Sequence, residues 1–97
     1  YVIEFTLPAR LDKFADIGIA LGGDDSAASV RESAEDAIDL VRELNADLNI
    51  PETLGEVGVK ATSVPAMSRS AMASGNIQVN PRKTSLNDIV ELFKQAI

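Results

Sequence analysis

The sequence predicts an all-α protein of four to five helices. Its apolar residues recur at intervals of three and four in every long segment, which is the spacing of one helix face. No segment alternates apolar and polar residues as a half-buried strand would. Residues that commonly end helices, Gly22-Gly23 and Asn49-Ile50-Pro51, separate the periodic segments. The 97 residues, without an internal repeat, are expected to form one domain over 1–97.

The first predicted elements are the end of an earlier helix over 1–5 and a complete helix over 8–21. Thr6 is the expected N-cap, and Pro8 falls in the first turn, where a missing N–H costs little. Gly22 ends the helix, since the residue after a C-cap commonly has a positive φ. The predicted apolar stripe consists of Leu7, Leu11, Phe14, Gly18 and Leu21.

The longest predicted helix covers 24–48. Asp24-Asp25-Ser26 would begin it, because acidic and hydroxyl side chains accept hydrogen bonds from free N–H groups. Asn49 is expected in the left-handed region, and Pro51 prevents continuation. The predicted buried face consists of Val30, Ala34, Ala37, Ile38, Val41, Leu44 and Leu48.

The second half predicts a short turn and two further helices. A turn or helix over 52–57 ends at Gly58, and Ser63 is expected to cap a helix over 64–73. Gly75 breaks that helix, and a loop over 76–83 contains the turn signal Asn80-Pro81. Ser85, with Asp88 three residues later, predicts a capping box that opens a helix over 85–97.

Composition excludes several classes of function. A net charge of −6 and a pI near 4.4 argue against nucleic acid and anionic membranes, both of which are held mainly by Lys and Arg. No apolar run is long enough to cross a bilayer. The absence of Cys is compatible with a reducing cytoplasm, which is the expected location. The start at Tyr1, inside an apolar stretch, is expected for a piece of a longer protein.

Few residues suggest a chemistry, because the chain has neither His nor Cys. Glu35 and Asp39 lie four residues apart and could hold a hard metal, but a solvated polar face is the favoured interpretation. Asp24-Asp25-Ser26 fails the calcium-loop pattern, and Ser26 lacks the following Leu of an acyl carrier protein, so helix capping is favoured. The loop over 75–82 either faces a ligand or is an ordinary turn; spacing alone leaves both open, with the turn as the default.

An ordered set of short motifs resembles the C-terminal end of the iron-activated (group III) alcohol dehydrogenases. The motifs are Ala20-Leu21-Gly22, Ile50-Pro51 followed by Leu54, Gly58-Val59-Lys60, and Asn80-Pro81-Arg82 before a closing helix. The resemblance extends over essentially the whole chain, because Tyr1-Val2-Ile3-Glu4-Phe5 is also similar to the apolar helix segment that follows the family's last metal-binding His. Asn49 stands where Gly is more common, but Asn also adopts the left-handed conformation.

The resemblance implies that the chain is the last portion of a helical domain, in an enzyme that also has a nucleotide-binding α/β domain. Such enzymes hold a divalent metal, iron or zinc, with one Asp and three His; it polarises the alcohol or aldehyde oxygen while hydride passes to or from NAD(P). None of those ligands, no catalytic residue and no cofactor loop is expected within this chain. The chain would act as scaffold and as one wall of the substrate pocket.

By the same resemblance, Asn76 corresponds to a pocket-lining position, whereas Asn80 and Arg82 fix the loop before the last helix. The implied partners are the remainder of the enzyme, with its nucleotide-binding domain and metal-ligand helices, and a small alcohol or aldehyde; a homo-oligomer is left open. The alternative is a free-standing acidic helical module that binds a partner helix in an apolar groove.

Overall fold

A computed structural model describes residues 1–24, 26 and 29–97, and over these residues the chain forms helices and no strand. The all-α prediction is confirmed. Among the described residues, three 3-10 turns accompany the α-helices: Leu7–Ala9, Gly55–Val57 and Ala61–Ser63. In the described part of the chain the α-helices are α1 (Val2–Thr6), α2 (Leu11–Ala20), α3 (Val30–Asp47), α4 (Val64–Met72), α5 (Gly75–Val79) and α6 (Leu86–Ala96).

The chain divides into two compact units, Val2–Ile50 and Pro51–Ile97, with Tyr1 assigned to the second. The first unit contains α1 to α3, and the second contains α4 to α6. The single domain predicted over 1–97 stays a prediction.

Small residues bring α2 and α3 of the first unit into close contact. Gly18 is buried on α2, and a Cβ placed there would collide with the backbone carbonyl oxygen of Ser33 on α3. On α3, Ala34 and Ala37 are fully buried. Backbones can approach this closely only where side chains are minimal, so the small residues determine the separation of the two helices.

The core of the first unit lies along the same two helices. Leu7, Ala15 and Ala34 form its buried cluster, and Leu11, Phe14 and Ile38 pack against it while remaining half-buried. The predicted stripe of the first helix is therefore confirmed over most of its length.

The apolar faces predicted for α2 and α3 include residues that are exposed in the structure. Leu21, at the end of the α2 stripe, is 41% exposed, and Val30, Leu44 and Leu48 on α3 are 58%, 45% and 62% exposed. The sequence assigned Val30, Leu44 and Leu48 to a buried face, and burial of these three residues was wrongly predicted. The physical reason is length: α2 has ten residues and α3 has eighteen, so α2 cannot cover the whole α3 stripe.

The predicted helix ends of the first unit are confirmed. Gly22 has φ 103°, and Gly23 donates its N–H to the carbonyl of Gly18 at 2.9 Å. Asn49 has φ 55°, and Ile50 donates to the carbonyl of Asn45, also at 2.9 Å. Both ends are Schellman motifs, in which the left-handed residue turns the chain so that a late N–H reaches a free carbonyl.

The predicted helix starts of the first unit were wrong. Thr6 is the buried last residue of α1, and α2 begins only at Leu11, after the 3-10 turn. α3 begins at Val30: Ser29 caps it by accepting the N–H of Glu32 at 3.2 Å, and Glu32 returns a bond to the Ser29 N–H at 2.7 Å. Asp24 and Ser26 therefore precede the helix, and Asp25 lies outside the described residues.

In the second unit, α4 packs against α6, with Val64, Ser68 and Ile89 buried. The N–H of Leu54 donates to the carbonyl of Ala96 at 2.7 Å, which satisfies a carbonyl left free at the end of α6. The predicted end of the short turn is confirmed, since Gly58 has φ 88°.

The starts of α4 and α6 differ in how well they were predicted. Ser63 makes no side-chain cap bond, because the 3-10 turn Ala61–Ser63 leads directly into α4. At α6 the capping box is confirmed: Ser85 accepts the Asp88 N–H at 3.2 Å, and Asp88 accepts the Ser85 N–H at 2.8 Å.

Candidate functional site

Asn76 lies on a short helix where the sequence predicted a loop. Gly75 opens α5 and does not merely break the preceding helix, so residues 76–79 are helical. Ser74 has an extended backbone and caps α5 by accepting the N–H of Asn76 at 3.3 Å. The Asn76 side chain is exposed, and its carboxamide offers both donors and an acceptor.

A set of hydrogen bonds organises the turn that follows α5. The Nδ2 of Asn80 donates to the carbonyl oxygen of Arg82 at 2.8 Å and to the Oγ1 of Thr84 at 3.3 Å. Thr84 Oγ1 itself donates to the Arg82 carbonyl at 2.9 Å. We call these three residues the Asn80 clamp. The role expected of Asn80 in fixing this loop agrees with these bonds, whereas the contribution of Thr84 was not predicted.

The clamp leads directly into the capped start of α6. The N–H and then the hydroxyl of Ser85 hold the pKa of Asp88 below its usual value, and the charge of Arg82 acts in the same direction. Polar contacts between near neighbours thus recur along the segment from Ser74 to Asp88. Asn76 lies near the start of this segment.

The paired carboxylates of α3 lie on a solvated face, as predicted. Glu35 pairs with Arg31 at 3.2 Å, and Asp39 pairs with Arg42, also at 3.2 Å. All four side chains are more than half exposed. Exposed pairs of this kind contribute little to stability.

The residues present do not fit the divalent metal that the resemblance implies. The chain has no His, and among the described residues no group of three or more His, Cys, Asp or Glu side chains could hold an ion. The family's three His ligands therefore cannot come from this chain, and no chemical step is assigned to a metal here. Within the same residues, no helix has the length and apolar character needed to cross a membrane.

Comparison with known proteins agrees with the motif order and the helical fold. The model of the Fe-containing alcohol dehydrogenase family, C-terminal part, matches residues 1–97. A 1,3-propanediol dehydrogenase from Citrobacter freundii is 38% identical over 99% of this chain and 25% of its own length. An NAD-dependent methanol dehydrogenase from Bacillus methanolicus is 32% identical over 100% of this chain and 26% of its own length. A crystal structure of a 1,3-propanediol oxidoreductase superimposes with a TM-score of 0.94 at 38% identity, covering 99% of this chain and 25% of that one.

The chain belongs to the Fe-containing alcohol dehydrogenase family and corresponds to its C-terminal, all-α region. It spans about a quarter of the length of the curated relatives that it matches, so the relatives contain much more polypeptide than this. The family resemblance inferred from the motifs is confirmed. The matches give no support to the alternative of a free-standing interaction module.

Proposed function

We propose that this chain is the C-terminal part of a metal-dependent, NAD(P)-linked alcohol dehydrogenase that interconverts a small alcohol and its aldehyde. The match of the family model to all 97 residues carries the proposal. The relatives named above act on small alcohols or diols according to their names, and one is named as NAD-dependent. The cytoplasm remains the proposed location.

Within that enzyme the chain would serve as scaffold and as one wall of the substrate pocket. The nicotinamide and the metal would be held by other parts of the polypeptide, because this chain has no His and its described residues form no group of three or more metal-ligating side chains. Its own contribution to substrate binding is Asn76. An exposed carboxamide on a short helix can donate to an aldehyde oxygen or accept from an alcohol hydroxyl.

The test is alcohol oxidation by the longer polypeptide that contains this chain, followed through NAD(P)H absorbance with iron or zinc supplied. We expect turnover from the longer polypeptide and none from the 97 residues alone. A longer polypeptide that reduces neither NAD nor NADP with any short alcohol or diol would refute the proposed activity.

The role of Asn76 is tested in the same polypeptide by Asn76→Ala, with Gln78→Ala as the matched control. Gln78 lies on the same helix and is also exposed. Loss of one hydrogen bond to substrate is worth about 1 kcal/mol, which raises KM roughly fivefold. Equal KM values for Asn76→Ala and Gln78→Ala would refute the role of Asn76 in the pocket but would not contradict the proposed dehydrogenase activity.

A further inference from the structure

The helix that carries Asn76 is not held in place by burial. None of the five residues of α5, all of which the structure describes, is buried. Ile77 is half-buried, and Val79 is 78% exposed. A helix of five residues is far too short to be stable by itself in water. Its position must therefore depend heavily on contacts made at its two ends.

The two ends of α5 carry side-chain hydrogen bonds of different kinds. At the start, the hydroxyl of Ser74 accepts the N–H of Asn76 and so fixes only the first turn. At the end, Asn80 adopts an extended backbone and its carboxamide reaches forward across Pro81 to Arg82 and Thr84. The second contact joins α5 to the next part of the chain and is not confined to the helix itself.

The Asn80 clamp attaches α5 to a well-packed element. Thr84 immediately precedes Ser85, the residue that caps α6, and α6 buries Ile89 where it packs against α4. The carboxamide N–H donor of Asn80 thereby connects α5, which has no buried residue, to the start of α6, which buries Ile89. These hydrogen bonds join residues two or four positions apart, so they constrain α5 but contribute little to the core.

We propose that Asn80 is a positioning residue: its carboxamide, bonded to Arg82 and Thr84, holds the end of α5 and so fixes Asn76 relative to α6. The hydrogen bonds of the Asn80 clamp all lie within this chain and do not depend on the proposed function. Its consequence for substrate rests on the proposed function, in which Asn76 lines the pocket. Loss of the clamp frees α5 locally, because regions with few buried apolar contacts open without unfolding the whole chain.

The clamp is tested in the 97-residue chain by Asn80→Asp, which keeps the shape of the side chain but replaces its donor with an oxygen facing the Arg82 carbonyl. Asn87→Asp, the same exchange at an exposed position of α6, is the matched control. The readout is amide hydrogen exchange. The Ile77 N–H, bonded to the Ser74 carbonyl at 3.1 Å, reports on α5, and the Ile89 N–H, bonded to the Ser85 carbonyl at 3.2 Å, reports on α6.

We expect Asn80→Asp to speed exchange at Ile77 about tenfold, with Ile89 and the melting temperature almost unchanged, and Asn87→Asp to change neither amide. Unchanged exchange at Ile77 would overturn the clamp. Equal acceleration at Ile77 and Ile89 would also overturn it, since a general loss of stability acts on both helices. Should Asn80→Asp fail to fold, Thr84→Val removes the second partner alone, and Thr84→Ser restores the hydroxyl and the slow exchange.

The consequence for substrate is tested in the longer polypeptide. Asn80→Asp and Thr84→Val should raise KM in the direction of Asn76→Ala with kcat changed less, and Thr84→Ser should retain the original KM. Suppose that Asn76→Ala raises KM but Asn80→Asp speeds exchange at Ile77 without changing KM. That result would refute the claim that the clamp positions Asn76. An unchanged KM in Asn76→Ala would overturn the proposed role of Asn76 together with the positioning that depends on it.

Discussion

Replacing Gly18 by Ala tests the packing of the first unit most severely. A methyl group at this position points at the backbone of α3, where it collides with the carbonyl oxygen of Ser33 and lies 3.4 Å from the nitrogen of Ala37. Both obstacles are backbone atoms, so no side-chain rotation can relieve the contact. The two helices must move apart, which loosens the fully buried contacts of Ala34 and Ala37.

Two opposing effects determine the magnitude. Overpacking a well-packed core costs typically about 1–3 kcal/mol, and the rigid obstacle places Gly18→Ala near the upper end. Against this, Ala favours a helix over Gly by about 1 kcal/mol. We therefore expect Gly18→Ala to lower the free energy of unfolding by about 2 kcal/mol, although the exchange stabilises most helices.

The assay is urea unfolding followed by far-UV circular dichroism, with Gly75→Ala as the control. A Cβ at Gly75 meets nothing within 4 Å, so that variant should match the original protein or gain up to about 1 kcal/mol. Gly18→Ala as stable as the original chain, or more stable, would show that α2 and α3 are not in the close contact described above.

Three further predictions concern single residues and pH. Ser68 is fully buried and its Oγ has no hydrogen-bond partner among the residues that the structure describes, so Ser68→Ala should stabilise the chain by up to about 1 kcal/mol in urea unfolding. A loss of stability in Ser68→Ala would show that the hydroxyl makes a stabilising hydrogen bond. Asn49→Ala, at φ 55°, should lower stability by about 1 kcal/mol while Asn49→Gly should not, and equal effects would exclude backbone strain as the cause. Hydrogen bonds from the N–H and hydroxyl groups of Ser29 and Ser85 lower the pKa values of Glu32 and Asp88, respectively. The ionised carboxylates therefore stabilise the fold fully above an ordinary carboxyl pKa of about 4, and this stabilisation is lost as pH falls through the lowered pKa values. Melting temperature should therefore drop more steeply below about pH 4 in the original chain than in Asp88→Asn, and parallel curves would contradict this.

Local signals made several helix ends predictable from the sequence. Asn49 before Ile50-Pro51, and Ser85 followed by Asp88, act through their own backbone and side-chain atoms, so no distant residue is needed to interpret them. The start of α3 shows the limit of the same reasoning. Ser29 with Glu32 three residues later forms the capping box, whereas the acidic residues around Asp24 favoured an earlier start in the sequence prediction.

Burial depended on partners that periodicity does not identify. Leu44 and Leu48 share a face with the buried Ala37, yet they lie beyond the stretch that α2 covers. The spacing of apolar residues shows which side chains share a face, while the length and position of the neighbouring helix decide which become buried.

The candidate site was predictable only in part. Family resemblance indicated Asn76 and the loop before the last helix, but not that Asn76 lies on α5. A five-residue helix leaves almost no periodic signal, and the Ser74 cap was its main local indication. Thr84 was missed because its contribution is a single hydroxyl bonded to its near neighbours.

Metal analysis of the purified 97-residue chain tests the central claim most directly: these helices frame a reaction centre and supply none of its ligands. After incubation with iron or zinc and gel filtration, we expect well under one equivalent of metal to remain, because the chain has no His or Cys. One tightly bound equivalent of either metal would contradict the account.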